Sequence, residues 1–254
     1  MTVGITANLT DDLLMAMDPV AFARAAGIEP DDWQAAVLRS RASRLLLLCS
    51  RQSGKSCTSA ILAVHQAVYD PGALILLLSP SLRQSQELFR KCLDVYRATH
   101  RPVPASAESA LRLELDNGSR IVSLPATEGA IRGYSAVRLL IVDEAARVED
   151  SLYLSVRPML AVSAGRLIGL STPFGTRGFF YEAWRGPEPW ERYEVPATMC
   201  PRIPASFLAE ERRNMGEWWF EQEFMCRFME GQTQVFTREE VDRAFAEKVE
   251  TWAL

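Results

Sequence analysis

Leu45-Leu46-Leu47-Leu48-Cys49-Ser50-Arg51-Gln52-Ser53-Gly54-Lys55-Ser56 is an aliphatic run that stops in a short polar turn and passes into the helix-like segment 57–69. A run apolar at every position reads as a strand buried on both faces, because a half-buried strand alternates. A buried strand, a tight turn ending in Gly-Lys-Ser and a helix together make a phosphate cradle. The N–H groups of the turn and the positive helix end meet phosphate oxygens. Ser50, Arg51, Gln52, Ser53, Gly54, Lys55 and Ser56 are therefore the expected nucleotide-binding residues. Lys55 would reach the β- and γ-phosphates, and the Ser56 hydroxyl would ligate Mg²⁺. The full pattern G-x-x-x-x-G-K-S/T has glycine where this chain has Cys49.

Outward from that turn the chain repeats the same grammar. Before it, Thr10-Asp11 and Asp18-Pro19 read as helix starts, Gly27 as a stop, and Pro30 as the start of a helix carrying Trp33 and Gln34. After it come a helix over 56–69 ended by Asp70-Pro71-Gly72, a strand over 73–79, and a helix over 82–99. Residues 111–124 read as a hairpin around Asn117-Gly118. Apolar strands over 137–142 and 166–171 end at Asp143-Glu144 and at Ser171-Thr172-Pro173. Continuous apolar strands between helices predict a mainly parallel sheet covered on both faces, with ligands at the carboxyl ends of its strands. From about Pro201 the pattern changes to a helical, aromatic-rich stretch over 206–230, with Phe207, Trp218, Trp219, Phe220, Phe224 and Phe228 expected to be mostly core. Residues 1–200 are thus expected to form one α/β core and 201–254 a small helical appendage.

At 254 residues, 48% of them apolar, the chain has enough material for one large α/β domain. No apolar stretch approaches the ~20 residues of a membrane helix, and no basic-then-apolar leader opens the chain. A cytoplasmic location is the expectation. The 5 cysteines and 2 histidines show no metal-ligand spacing, which argues against a zinc site and against histidine chemistry. Net charge is −4, unevenly spread. Between Trp33 and Tyr69 there are 5 cations and no acid, whereas Phe207 to Glu250 holds 11 acids against 6 cations. A polyanion would meet the basic face, unless that charge is simply solvated surface.

The chemistry-bearing candidates cluster at strand ends. In a nucleoside triphosphatase, the first carboxylate of Asp143-Glu144 holds the Mg²⁺ shell and the second polarises the attacking water. Charge on a transferred phosphoryl group also needs cations. Arg51 lies inside the phosphate turn, Arg132 stands in the loop before the carboxylate strand, and Arg177 lies in Gly175-Thr176-Arg177-Gly178. Each is a candidate arginine finger. The hydroxyls of Ser171-Thr172-Pro173 suit a turn that senses the γ-phosphate. Gln34 suits an adenine edge, with Trp33 as core or stacking wall.

In this order these residues resemble the N-terminal ATPase domain of the large terminase subunit, the DNA-packaging motor of tailed phages. The resemblance runs over residues 30–230 on Trp33-Gln34, Arg51-Gln52-Ser53-Gly54-Lys55-Ser56 (Walker A), Ser79-Pro80-Ser81, Arg132-Gly133, Val142-Asp143-Glu144-Ala145 (Walker B), Ser171-Thr172-Pro173 and the segment 215–224. It implies a P-loop NTPase fold of the ASCE, RecA-like type in three layers, with a helical C-terminal linker or lid. It further implies ATP and Mg²⁺, Glu144 as catalytic glutamate, Ser171-Thr172-Pro173 as coupling motif, and a phosphate loop that does not need the first glycine. Double-stranded DNA, a portal protein, the small terminase subunit and a ring, commonly a pentamer, are the implied partners, with a monomer possible in isolation. The family's nuclease domain has no room before Leu254, so nuclease activity is not expected in this chain. Two alternatives stand beside this reading: a fragment of a superfamily 1 or 2 helicase, and a nucleotide-dependent assembly module with negligible turnover alone.

Overall fold

The computed structural model describes residues 9–131, 133–230 and 243. Arg132 and, apart from Arg243, the stretch from Phe236 to Leu254 read above as part of the appendage lie outside the described residues. Three short helices open the chain: α1 (Leu9–Met17), α2 (Pro19–Ala25) and α3 (Asp32–Arg39). The Asp18 side chain accepts from Val20 N and caps α2, and Gly27, at φ 74°, lies just past its end. Then come β1 (Arg44–Cys49), α4 (Lys55–Tyr69), β2 (Leu74–Ser79), α5 (Leu82–Ala98), β3 (Ala105–Glu108), β4 (Arg112–Leu115) and β5 (Arg120–Pro125). The short α6 (Glu128–Ile131), β6 (Val137–Asp143), α7 (Asp150–Val156), β7 (Arg166–Ser171), α8 (Phe179–Arg185), β8 (Glu191–Val195), α9 (Ala205–Met215) and α10 (Glu217–Glu223) follow.

The strands form one 8-stranded sheet in the order β3-β4-β5-β2-β6-β7-β1-β8. All pairings from β5 to β8 are parallel, while β4 joins β3 and β5 antiparallel. The hairpin at Asn117-Gly118 is where sequence places it. Alternate strand residues feed two cores on opposite faces. Leu45, Leu47, Ile75, Leu77, Leu139 and Ile141 pack against α2 to α5, and Leu46, Leu48, Leu76, Leu78, Leu140 and Val142 pack against α7 and α8. Each such leucine is almost wholly removed from water, which stabilises the fold by roughly 1.5–3 kcal/mol per side chain. The result is the three-layer P-loop NTPase fold of the ASCE type, with β7 standing between the phosphate-loop strand β1 and the carboxylate strand β6.

Two expectations need correction, and the sheet has two strands beyond those expected. The stretch 206–230 is not one helical block: Gly216, at φ 81°, breaks it into α9 and α10, and residues 224–230 are not helical. Its aromatics are not mostly core, because Phe220 and Phe224 are buried while Trp219 and Phe207 are 47% and 40% exposed. The sheet also extends to edge strands β3 and β8 that sequence does not announce, since Ala105-Ser106-Ala107-Glu108 and Glu191-Arg192-Tyr193-Glu194 lack an apolar period.

Candidate active site

Because β1, β6 and β7 are parallel, their ends lie along one edge of the sheet. Leu48 pairs with Ser171 and Asp143 with Leu170, so each of the three strands stops within a residue of its neighbour. That register gathers the phosphate turn, Asp143-Glu144 and Ser171-Thr172 without any long-range coincidence in sequence.

Gln52 (φ 60°) and Gly54 (φ 97°) turn the chain from β1 into α4. The positive φ favours glycine at position 54, and a Cβ there would also fall 2.9 Å from Gln34 Nε2, so that side chain would have to shift. Cys49 needs no such freedom. It is still a strand residue, fully buried and paired with Val195 of β8, so the glycine of the longer consensus is dispensable here. The backbone N–H groups from Gln52 to Ser56 have no backbone partner among the described residues, leaving the donor array that a phosphate group takes.

Lys55 Nζ stands 2.9 Å from Glu144 Oε1. Burial pushes the Lys55 ammonium down, but the Glu144 and Asp143 carboxylates more than offset it and the net shift is upward. Glu144 itself sits in the left-handed region (φ 49°, ψ 42°), where a non-glycine backbone is strained. Its second oxygen, Oε2, has Ser171 Oγ at 3.5 Å and Arg147 Nε at 3.9 Å. Asp143 is buried, and its Oδ1 accepts from Glu144 N at 3.0 Å. Burial first, and the neighbouring Glu144 second, raise its pKa to about 6. Among the described residues no cation stands within ion-pair distance of Asp143. A buried carboxylate of this kind fits a divalent cation, and Mg²⁺ characteristically takes only one or two protein groups beside waters and phosphate oxygens. Ser56, in the first turn of α4, carries a hydroxyl that could serve the same ion.

A cavity of about 490 Å³ is lined by Arg51, Gln52, Lys55, Glu144, Thr172, Gln84 and Arg147. Sequence reasoning missed the last two. Gln84 carries a readable signal, for it lies 3 residues after Ser81, whose hydroxyl caps α5 by accepting from Gln84 N and donates to Gln84 Oε1. Arg147 lies 3 residues after Glu144, one turn of 3₁₀ helix away.

Two further contacts reach the turn from the C-terminal part of the chain. Arg51 Nε lies 2.5 Å from Glu223 Oε2, and Arg51 N donates to Glu223 O at 3.0 Å. Arg202 donates to Ser53 O at 3.0 Å and pairs with Asp31 at 2.7 Å. Nothing local in sequence announces either pair. Gln34 lies against the turn, but both ends of its amide are engaged within the fold: Oε1 accepts from Asp31 N, and Nε2 donates to Thr58 Oγ1. Trp33 is core. Pro173 is buried beside Thr172, whereas Arg177 is not among the residues that line the cavity. Of the candidate fingers, then, only Arg51 is brought to the site among the described residues.

Residues 46–243 match the family described as terminase large subunit, T4likevirus-type, N-terminal. The terminase large subunit of Thermus virus P23-45 is 29% identical over 182 residues, covering 63% of this chain. The chain spans 38% of that relative's length. Among solved structures, the large terminase ATPase domain of Thermus phage P74-26 superposes with a TM-score of 0.72 at 25% identity, over 82% of this chain and 97% of that one. The large terminase of a thermophilic bacteriophage, in complex with ADP, shares the fold (TM-score 0.64, 9% identity, 79% of this chain and 54% of that one).

Proposed function

The chain belongs to the terminase large-subunit family, and from that premise we propose that it hydrolyses ATP to drive double-stranded DNA into a viral procapsid. The observation that carries the reading is the convergence of Lys55, Glu144 and Ser171 at one sheet edge, beside a row of backbone donors with no backbone partner among the described residues. Ser50 to Ser56 would hold the triphosphate. Mg²⁺, when bound by Ser56 and Asp143, would neutralise charge on the β- and γ-phosphate oxygens. Lys55 then exchanges Glu144 for phosphate, which frees the Glu144 carboxylate to take a proton from the attacking water. Arg51 and Arg132 would stabilise the transferred group, the second in cis or from a neighbouring subunit. Ser171-Thr172-Pro173 would pass the phosphate state onward. Residues 1–200 act as the ATPase core, and 201–254 as a linker or lid that reaches the phosphate turn through Arg202 and Glu223.

The working form of this reading is a ring on a portal protein in the host cytoplasm, with DNA and the small terminase subunit as partners. Among the described residues no helix is long and apolar enough to cross a membrane. The test is phosphate release per subunit as a function of protein concentration, with and without linear duplex DNA. A rate that climbs more steeply than subunit number, and an Arg132→Ala variant that loses only this climb, is the expected result. No ATP hydrolysis at any concentration would leave a nucleotide-binding assembly module instead, and an unchanged climb in Arg132→Ala would rule out the trans role.

A further inference from the structure

Arg147 belongs to the site, yet no role above requires it. One 3₁₀ turn after Glu144, closed by Arg147 N donating to Glu144 O at 2.8 Å, it places Nε 3.9 Å from Glu144 Oε2 and lines the cavity. The same guanidinium lies 4.0 Å from the centroid of the Phe174 ring. Phe174 follows Ser171-Thr172-Pro173 directly and is 43% exposed as a residue. A planar guanidinium over an aromatic face is a favourable cation–π pair, so Arg147 is a physical partner for this half-exposed residue.

Two further contacts fasten the same two segments together. Phe179 N donates to Asp150 Oδ1 at 2.6 Å, and the Tyr153 and Phe179 rings stack at 4.3 Å with 5° between planes. Between these fastenings lie Gly175 (φ 67°) and Gly178 (φ 86°), both at positive φ, which glycine adopts at no steric cost. The chain after Glu144 is thus pinned to the chain after Ser171 at its far end, while at its near end Arg147 bridges the Glu144 carboxylate and Phe174.

The 3.9 Å separation is too long for a hydrogen bond and is an ion pair only. Lys55 holds the other oxygen of Glu144. Once Lys55 turns to phosphate, Arg147 is the cation left beside that carboxylate among the described residues. We propose that Arg147 is a positioning residue that orients Glu144 and ties the setting of its carboxylate to the turn at residues 174–178 through Phe174. The inference rests on the ATPase reading and deepens it.

The experiment uses the full 254-residue chain and the variants Arg147→Gln, Arg147→Lys, Phe174→Leu and the double variant R147Q/F174L. Binding of a non-hydrolysable ATP analogue with Mg²⁺, amide hydrogen exchange over residues 172–178 with and without it, and kcat are measured. In the wild type the analogue should change exchange in this turn. R147Q should bind the analogue within about threefold of wild type while losing that response and about tenfold or more in kcat. R147K keeps the charge but not the planar stack, so it should bind normally and still lack the response. The double variant should be no worse than R147Q, because both changes remove one bridge. A wild-type exchange response in R147Q, or effects that multiply in the double variant, would overturn the inference. Should R147Q fail to fold, F174L decides alone, since that half-exposed residue can be changed without opening the core. Failure of the parent reading looks different: the wild type would not bind the analogue at all, or Glu144→Gln would hydrolyse ATP normally.

Discussion

Asp143 is held in a place that opposes its own charge. Burial and the adjacent Glu144 raise its pKa from the usual 3.8 to about 6, and a displacement of one pH unit is worth roughly 1.4 kcal/mol. Between those values the folded state binds the proton more tightly than the unfolded chain does. Stability contributed by this group is therefore greatest below pH 3.8 and is lost as pH rises through about 6. Asp143→Asn keeps an oxygen for the Glu144 N–H without the charge. In metal-free buffer it should melt above wild type near neutral pH, with the gap closing as pH falls below the ordinary carboxylate range, and a pH-independent gap would contradict this reading of the site. Lys55, Ser56, Asp143 and Glu144 are legible in sequence because each sits at a fixed offset from a strand end. Glu223 and Arg202 are not: their partners lie 172 and 149 residues away, and only the folded chain brings them to the phosphate turn. Gln34 is legible as a residue near the turn, but its amide proves to be engaged in joining α3 to α4.

At the scale of elements, the buried strands announce themselves and the edges do not. β1, β2, β6 and β7 are apolar along most of their length because both faces are covered, so periodicity finds them. β3 and β8 are held by backbone pairing at the rims of the sheet, where half-exposed side chains leave no apolar period to read. The approach to β7 shows how little space the central layer leaves. A Cβ on Gly165 would fall 2.0 Å from Val137 O, a backbone atom of the neighbouring strand that cannot rotate aside. Gly165→Ala should therefore destabilise by at least ~2 kcal/mol, lowering the melting temperature by about 4–8 °C. A thermal melt unchanged from wild type would mean that the register of β6 against β7 is looser than described, and with it the alignment of Asp143 and Ser171.

At the scale of the whole molecule, the sheet works as a ruler that sets three loops side by side, and α10 reaches one of them through Glu223. Fold class and the ends of the central strands are readable from one chain, because parallel strands buried on both faces force their functional loops to a common edge. The contacts between α10 and the phosphate turn are not, being set by packing around Phe220 and Phe224 rather than by a local motif. The pairing of Lys55 with Glu144 gives this arrangement its sharpest consequence: the lysine that should meet phosphate holds the carboxylate that should activate water. Glu144→Gln removes the base and leaves the phosphate turn intact. The most direct measurement is therefore ATP affinity and phosphate release on the same preparations of wild type and Glu144→Gln. ATP affinity kept within about threefold, with turnover lowered by about 10²-fold or more, is the expected result, whereas normal turnover in the variant would contradict the assignment of Glu144 and the site built around it.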